Sequence, residues 1–460
     1  MTPKTTRRGF LAGAAGAGAG LLSQRLHAAI PPVRIPLAVK ERDIIVKGRA
    51  AKVFGIVMPN GAPGLVMNEG ETFSVELTNA LGEPTLVHWH GQTPPSDQDG
   101  TPMLSQEPIA AGGMHVYDFP ARSGTHWMHS HVGLQEQKLL AAPLIVKSRA
   151  EIEEDMQEHV VMLHDFTFRD PQEILDELKA GGGGHAMHHH GMVNDIMYDA
   201  YLANDRTLDD PEVVKVERGG RIRLRIINAA ASSNMWIDLG GLSGDLVAAD
   251  GNPVAPLTAS RFALAVAQRA DLVIALPNEE GAWPVLFQPE GAAERTGIIL
   301  ATASGTIPRV ADMADMAPAV TLDQELQLRA ASPLRPEPVT RTEIVKLTGG
   351  GKDYLWGLNG KSDMHAALFT VKLGDRIAVA LHNETTMSHP MHLHGHHFQV
   401  MSVNGTVFPG AMRDTVLVPP DATVIIVFDA ENPGNWAFHC HHLYHMNAGM
   451  MGAIGYTSAA

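Results

Sequence analysis

A single cysteine, Cys440, among 460 residues leaves no partner for an intramolecular disulfide and rules out a cysteine-held zinc or iron–sulfur cluster. Basic residues are in deficit, 35 Lys and Arg against 50 Asp and Glu for a formal charge of −15. That balance argues against nucleic acid, whose binders carry basic patches. Aromatic residues are sparse at 5%, a scarcity that decides nothing about substrate. Beyond the N-terminal stretch no segment is long and apolar enough to read as transmembrane. What remains, 45% hydrophobic and 18% charged residues, is ordinary globular composition. At about 100–200 residues per domain the length suggests three domains.

What the chain has in quantity is imidazole and thioether: 24 His and 22 Met, side chains that both suit copper. Its first residues read as an export signal. Thr6-Arg7-Arg8-Gly9-Phe10-Leu11 is a twin-arginine pattern, followed by an uncharged Ala/Gly/Leu run to Leu22 that is too short and too weakly apolar to span a bilayer. A signal peptide over 1–28, cleaved near Ala28 or Ala29, sends the chain to the periplasm through the twin-arginine export machinery and leaves it free of the membrane. Removing Lys4, Arg7, Arg8 and Arg25 takes the formal charge from −15 to −19.

A long repeat organises the rest. Gly70-Glu-Thr-Phe73-Ser-Val75-Glu-Leu77-Thr-Asn79, Gly219-Gly-Arg-Ile222-Arg-Leu224-Arg-Ile226-Ile-Asn228 and Gly374-Asp-Arg-Ile377-Ala-Val379-Ala-Leu381-His-Asn383 share a Gly, alternating apolar positions and an Asn nine residues on. Period-two alternation predicts a strand with one buried face, and starts 149 and 155 residues apart make the unit a whole domain. Short strands punctuated by Gly, Pro and Asn predict an all-β chain of three sandwich domains, at 35–148, 152–306 and 338–460. Only Gln172–Ala180 reads as a short helix. Arg341–Leu347, with the Pro-containing stretch from Ala317 before it, reads as the linker into the third domain.

Histidines fall in register with the repeat. Nine residues after the Asn stand His88-Trp89-His90 in the first copy and His392-Leu393-His394 in the third, against Ile237-Asp238-Leu239 in the second. Further on, Gly124 leads to His129-Ser130-His131 and Gly434 to His439-Cys440-His441, while Gly281 leads to Leu286 and Gln288. Residues i and i+2 of a strand point to the same side, so four His-x-His pairs from two related domains offer eight imidazoles that can converge at an interface. Eight nitrogens suit three copper ions, two with three His and one with two. Within His439-Cys440-His441 the thiolate points the other way, and Cys440 with His389, His445 and a weak axial Met450 supplies the His₂Cys-plus-Met set of a blue copper centre. Three consecutive residues then join that centre to the cluster, a covalent route for electrons.

The segments His88-Trp-His-Gly, His129-Ser-His, His389-Pro-Met-His392-Leu-His394-Gly-His396 and His439-Cys-His441-His-Leu-Tyr-His445-Met-Asn-Ala-Gly-Met450 resemble those of the multicopper oxidases over essentially the whole mature chain. The resemblance implies three cupredoxin-like Greek-key β-sandwich domains and four copper ions. Four one-electron oxidations of a small reducing substrate are coupled to the reduction of O₂ to water. By position, His389, Cys440, His445 and Met450 match the type 1 copper ligands, and His88 and His392 the type 2 ligands. His90, His129 and His441 match one type 3 copper, and His131, His394 and His439 the other. Asp99 matches the acid that the family places beside the cluster, where a carboxyl group can relay protons. Met446 stands where several bacterial members have a second acid.

Two donors are implied for such a chain. In the cuprous-oxidase branch, Met and Asp side chains hold Cu(I) beside the type 1 site. Met387 matches one such position and Asp363, in Asn359-Gly-Lys-Ser-Asp363-Met364, another, while Thr385 stands where an Asp is expected. Laccase-like oxidation of phenols or aromatic amines is the alternative, and a copper-storing protein without turnover a third reading. His115, His126, His164, His365, His382, His396, His397 and His442 lie outside the ligand registers and read as core groups or neighbours of the ligands. The Gly-flanked run His185-Ala-Met187-His188-His189-His190-Gly191-Met192 reads as an exposed loop, either a copper collector or a solvated linker.

Overall fold

Each copy of the repeat starts at a Gly with positive φ, 88° at Gly70, 64° at Gly219 and 86° at Gly374, a conformation that a Cβ strains. The strands Thr72–Asn79, Arg221–Asn228 and Arg376–Asn383 follow. Each ends on a fully buried Asn whose Oδ1 accepts the backbone N–H two residues on, that of Leu81, Ala230 or Thr385. The Asn Nδ2 donates to a carbonyl in the following loop, of Glu83, Ser233 or Met387, and to a more distant one, of Ile109, Leu264 or Val418. An Asx turn of this kind closes the strand and pins the loop after it. The Asn therefore recurs even in the copy that carries no histidine pair.

The computed structural model describes residues 34–154, 156–181, 193–363 and 367–457. The expected signal peptide, the His185–Met192 run, Met364 and His365 lie outside the described residues. In every copy the repeat strand pairs in parallel with an earlier one: Ile35–Val46, Gln157–Phe166 or Arg341–Gly350. A second parallel pair recurs too, Leu65–Asn68 with Ala141–Lys147, Glu212–Lys215 with Thr296–Ala301, and Ala367–Val371 with Met451–Tyr456. The two kinds of pair lie in separate sheets, so each copy has two sheets, with four and four, six and five, and seven and five strands among the described residues. Buried side chains of both sheets share one core: Phe73 and Val75 with Trp89 and Leu144, Leu224 and Ile226 with Val285 and Phe287, Val379 and Ile426 with Leu393 and Phe438. The chain is three cupredoxin-like β-sandwiches, and from Ile35 onward it packs as one compact unit.

Two local expectations change. Arg341–Leu347 is no linker but most of the strand Arg341–Gly350, buried at Val345 and Leu347 only; the exposed Ile344 next to Val345 hid the alternation. The expected helix is Pro171–Lys179, opened by Pro171 and capped by Asp170, whose Oδ1 accepts the Gln172 N–H at 2.7 Å. It is not the sole helix, because Arg149–Glu154 and Leu443–Asn447 are helical as well. Among the described residues no helix is long and apolar enough to cross a membrane.

Candidate metal centres

The strand alternation delivers the histidine pairs to one side. Val87–His90 pairs with Gly124–Ser130 so that His88 lies opposite His129, while Trp89 and Met128 enter the first core. His389–Leu393 pairs with Asn435–Cys440 so that His392 lies opposite His439, while Leu393 and Phe438 enter the third core. The two histidine faces meet. His88 Nε2 is 3.4 Å from His392 Nε2, His90 Nδ1 is 3.4 Å from His129 Nε2, and His439 Nε2 is 2.9 Å from His394 Nε2 and 3.4 Å from His131 Nε2. Donor atoms of His88, His90 and His392, of His90, His129 and His441, and of His131, His394 and His439 lie within 4.8 Å of one another in each group.

Six of these rings have an outward nitrogen facing an acceptor. Asp99 faces His394 Nδ1 through Oδ2 at 2.8 Å and His88 Nδ1 through its backbone oxygen at 2.8 Å. Asp414 faces His90 Nε2 through Oδ1 at 3.0 Å and His392 Nδ1 through its backbone oxygen at 2.8 Å. Glu136 Oε2 lies 3.0 Å from His129 Nδ1, and the Cys440 carbonyl 3.0 Å from His439 Nδ1. An imidazole that donates its one proton outward turns a bare lone pair inward, and lone pairs so crowded repel unless a cation lies between them. His441 Nε2 is buried without a hydrogen-bond partner. Burial, reinforced by neighbouring imidazoles and at His90 by Arg269, holds His90, His129, His131, His392, His394 and His441 well below the ordinary imidazole range, and His439 is lowered to about 4. These rings are neutral, the form that ligates metal. The donor set fits copper.

A second cluster lies on the other side of the same strand. Cys440 Sγ is 3.5 Å from His389 Nδ1 and 3.9 Å from His445 Nδ1, and those two nitrogens are 3.2 Å apart. The short helix Leu443–Asn447 turns the chain so that His445 returns to Cys440. Met450, fully buried, accepts the Cys440 N–H at its carbonyl and donates its own N–H to the His445 carbonyl, each at 3.0 Å. Burial pushes the Cys440 thiol up and lowers His445 to about 4, so a cation is what would make the thiolate tenable there. Outward, Thr385 Oγ1 lies 2.7 Å from His389 Nε2, and Asp195 Oδ2 lies 3.4 Å from His445 Nε2. Burial works to raise the Asp195 carboxyl, but the facing His442 and His445 outweigh it and hold it well below the usual carboxylate range.

Asp99 is buried between His394, His88 and Thr101, whose Oγ1 donates to Asp99 Oδ2 at 2.7 Å. The two expected substrate residues sit differently. Met387 is half-buried against the third core, and its carbonyl accepts the Asn383 Nδ2 bond of the repeat turn. Asp363 is exposed and follows Ser362, which packs so tightly on Gly449 that a Cβ there would meet the Ser362 Cβ at 2.7 Å. Of the histidines outside the registers, His126, His164, His396 and His442 are buried and His397 is half-buried. The His442 ring stacks on His445 at 3.6 Å between centroids. Sequence reasoning missed Glu136, Asp195 and Asp414, and it took Thr385 only as an absent acid. Arg413-Asp414 ahead of the apolar run Val416–Val418 was a usable signal, a charged pair leading into a buried strand. Glu136, within Gln135-Glu136-Gln137-Lys138, reads as surface and offered none.

Models of the multicopper oxidase family match residues 38–151, 157–304 and 336–459. Multicopper oxidase MmcO of Mycobacterium tuberculosis is 34% identical over 419 residues, which covers 86% of this chain and 82% of that protein. Copper resistance protein A of Escherichia coli is 27% identical, covering 98% of this chain and 99% of that protein. The crystal structure of the laccase from Botrytis aclada superposes with a TM-score of 0.75 at 22% identity, over 92% of this chain and 87% of that one. With matches that run the length of all three sandwiches, this chain belongs to the multicopper oxidases, copper-dependent oxidoreductases that use O₂ and a reducing substrate.

Proposed function

We propose that this oxidase works in the periplasm with four copper ions, taking single electrons from its donor at a type 1 site and reducing O₂ to water by four electrons at a trinuclear site. His389, Cys440, His445 and Met450 hold the type 1 ion and His88 and His392 the type 2 ion. His90, His129 and His441 hold one type 3 ion, and His131, His394 and His439 the other. The first and third domains, 35–148 and 338–460, supply the donors, and 152–306 supplies none. The observation that carries this reading is the Cys440 side chain in one donor cluster with the imidazoles on either side of it in the other. Bound copper supplies the one-electron redox changes and the place where O₂ is reduced. The chain's part is to hold these imidazoles at fixed orientation through Asp99, Glu136, Asp414 and backbone carbonyls. Asp99, held by Thr101 and His394, stands where a carboxyl can pass protons toward the cluster.

Cu(I) is the favoured donor, in a role of copper tolerance. Met387 and Asp363, a thioether and a carboxylate flanking the Cys440 site, suit a passing soft cation, and a relative of near-complete coverage is named a copper resistance protein. Laccase-like oxidation of phenols or aromatic amines is the second reading. It is favoured by Asp195, a carboxylate whose Oδ2 lies 3.4 Å from His445 Nε2 at the edge of the type 1 site. Oxygen uptake by the copper-loaded enzyme, with Cu(I) and a methoxyphenol compared side by side, tests the choice. A much higher kcat/KM for Cu(I), reduced in Met387→Leu and Asp363→Asn variants, is the expected result. Preference for the phenol without added copper overturns it in favour of a laccase.

A further inference from the structure

Among the described residues the middle sandwich brings no donor to either cluster, yet one of its side chains reaches the trinuclear site. Arg269 opens the strand Arg269–Ala275 and is 1% exposed. Its Nη1 and Nη2 donate to Asp414 Oδ1 and Oδ2 at 2.8 and 2.5 Å. Its Nε donates to the Thr125 carbonyl of the first sandwich at 3.1 Å, and Nη1 also reaches the Ala267 carbonyl of its own at 3.0 Å. One guanidinium thus joins all three sandwiches. Behind it, Asp250 Oδ1 accepts the Arg269 backbone N–H at 2.9 Å, Asp250 Oδ2 accepts from Arg413 Nη1 at 3.1 Å, and Arg413 Nε donates to Glu325 Oε2 at 2.8 Å. All five charged side chains are buried.

The far end of this chain of contacts is His90. His88, His129, His131, His392, His394 and His439 turn Nε2 toward one another, and His441 leaves Nε2 without a partner while its Nδ1 faces Glu136. His90 is reversed: its Nδ1 faces His129, and its Nε2 points outward to Asp414 Oδ1, with Thr415 Oγ1 at 3.3 Å. A ring in the opposite sense from its neighbours needs an acceptor at that outer nitrogen, and Asp414 is the carboxylate there. A buried carboxylate keeps its charge only beside an ionic partner, and the planar fork of an Arg sets the carboxylate plane in a way that a point charge does not.

We infer that Arg269 is a positioning residue for the trinuclear site: by gripping both oxygens of Asp414 it fixes the acceptor that holds His90 with Nδ1 toward the cluster. The inference rests on the reading that the eight histidines hold copper. The middle sandwich is then more than a spacer, because it supplies the grip that sets one ligand of a site built by its neighbours. Outer partners of metal-bound histidines typically change metal affinity or activity by about 10- to 100-fold when removed.

The test is copper binding by the full chain, titrated against a competing chelator. The blue absorbance reports the Cys440 centre, and bound copper beyond it reports the eight-histidine site. Arg269→Gln and Asp414→Asn are expected to weaken the eight-histidine site by about 10- to 100-fold while the blue absorbance and its midpoint stay at the wild-type values. Arg269→Lys, which keeps the charge and loses the fork, recovers part of the loss. Arg413→Gln breaks the same buried network on the side away from His90, and should lower Tm without that selective loss. Should Arg269→Gln fail to fold, Asp414→Asn and Arg269→Lys carry the same comparison. Copper binding unchanged in Arg269→Gln, or both centres weakened alike in all four variants, overturns the inference. A wild-type chain that binds copper at the Cys440 centre alone overturns the underlying reading instead.

Discussion

The two donor clusters are assembled over different distances along the chain. Cys440 and His445 come from one short stretch, and His389 is the paired strand's contribution within the same sandwich. The eight-histidine site is half first sandwich and half third, with His88 facing His392 across 304 positions of sequence. Their outer partners differ as well. The Cys440 cluster is backed by the Thr385 hydroxyl and by Asp195, whereas Asp99, Glu136 and Asp414, all buried carboxylates, back the larger one. A centre built within one domain depends on that domain's fold. A centre built between domains depends on what locks the interface, and here the buried Arg269–Asp414 pair is part of that lock.

The largest effect expected is from Cys440→Ser, which removes the soft donor of the smaller cluster. Oxygen uptake and blue colour should both vanish, while circular dichroism and copper at the eight-histidine site persist. Retained turnover would sink the mechanism. Asp99→Asn acts on the other side of the comparison. It should lower kcat for O₂ reduction by about 10²-fold, with the rate at which donor bleaches the blue colour unchanged in stopped flow; a slowed bleaching step would assign Asp99 to the wrong half. Asp195→Asn mirrors it at the Cys440 cluster, where about a tenfold loss of kcat/KM for a phenolic donor is expected and O₂ reduction by pre-reduced enzyme should be spared.

The smallest effect separates the metal-free from the copper-loaded protein. Folding lowers His439 and His445 to about 4 from the ordinary imidazole value of about 6.5, and His90, His129, His131, His389, His392, His394 and His441 in the same direction. Below about pH 6.5 the unfolded chain therefore binds more protons than the folded one, and stability falls as pH drops from about 6.5 toward about 4. Tm of the metal-free protein should be flat above this window and decline through it. Bound copper should delay the decline, since it competes with protons for the same nitrogens. A metal-free Tm that rises on acidification would contradict the burial of neutral imidazoles.

Much of the larger site was legible because strand chemistry is short-range. A His two residues from another His on a strand shares its face whatever the surroundings, so His88 with His90 and His439 with His441 could be paired from spacing alone, and Cys440 placed on the opposite side. The Gly and Asn of the repeat were legible for the same reason: one needs positive φ, the other closes a turn on its own backbone. The strand Arg341–Gly350 was misread because only Val345 and Leu347 are buried, and the exposed Ile344 beside Val345 breaks the alternation. Glu136 was out of reach because Gln135, Gln137 and Lys138 make it read as surface, and Asp195 because it belongs to no register; only the packing of one sandwich on another brings them to the clusters.

By itself, then, the amino-acid sequence determined the strands, the three-fold repeat, which side of each strand carries imidazole or thiolate, and hence the kind of metal the chain can hold. Those properties follow from backbone geometry over a few residues. Only the tertiary structure decided which imidazole faces which, that His90 is turned the opposite way, and that a guanidinium of the middle sandwich stands behind it. Such facts depend on contacts between groups up to three hundred residues apart. They exist because burying a carboxylate at that interface demands a cation, and Arg269 is the one the fold brings there.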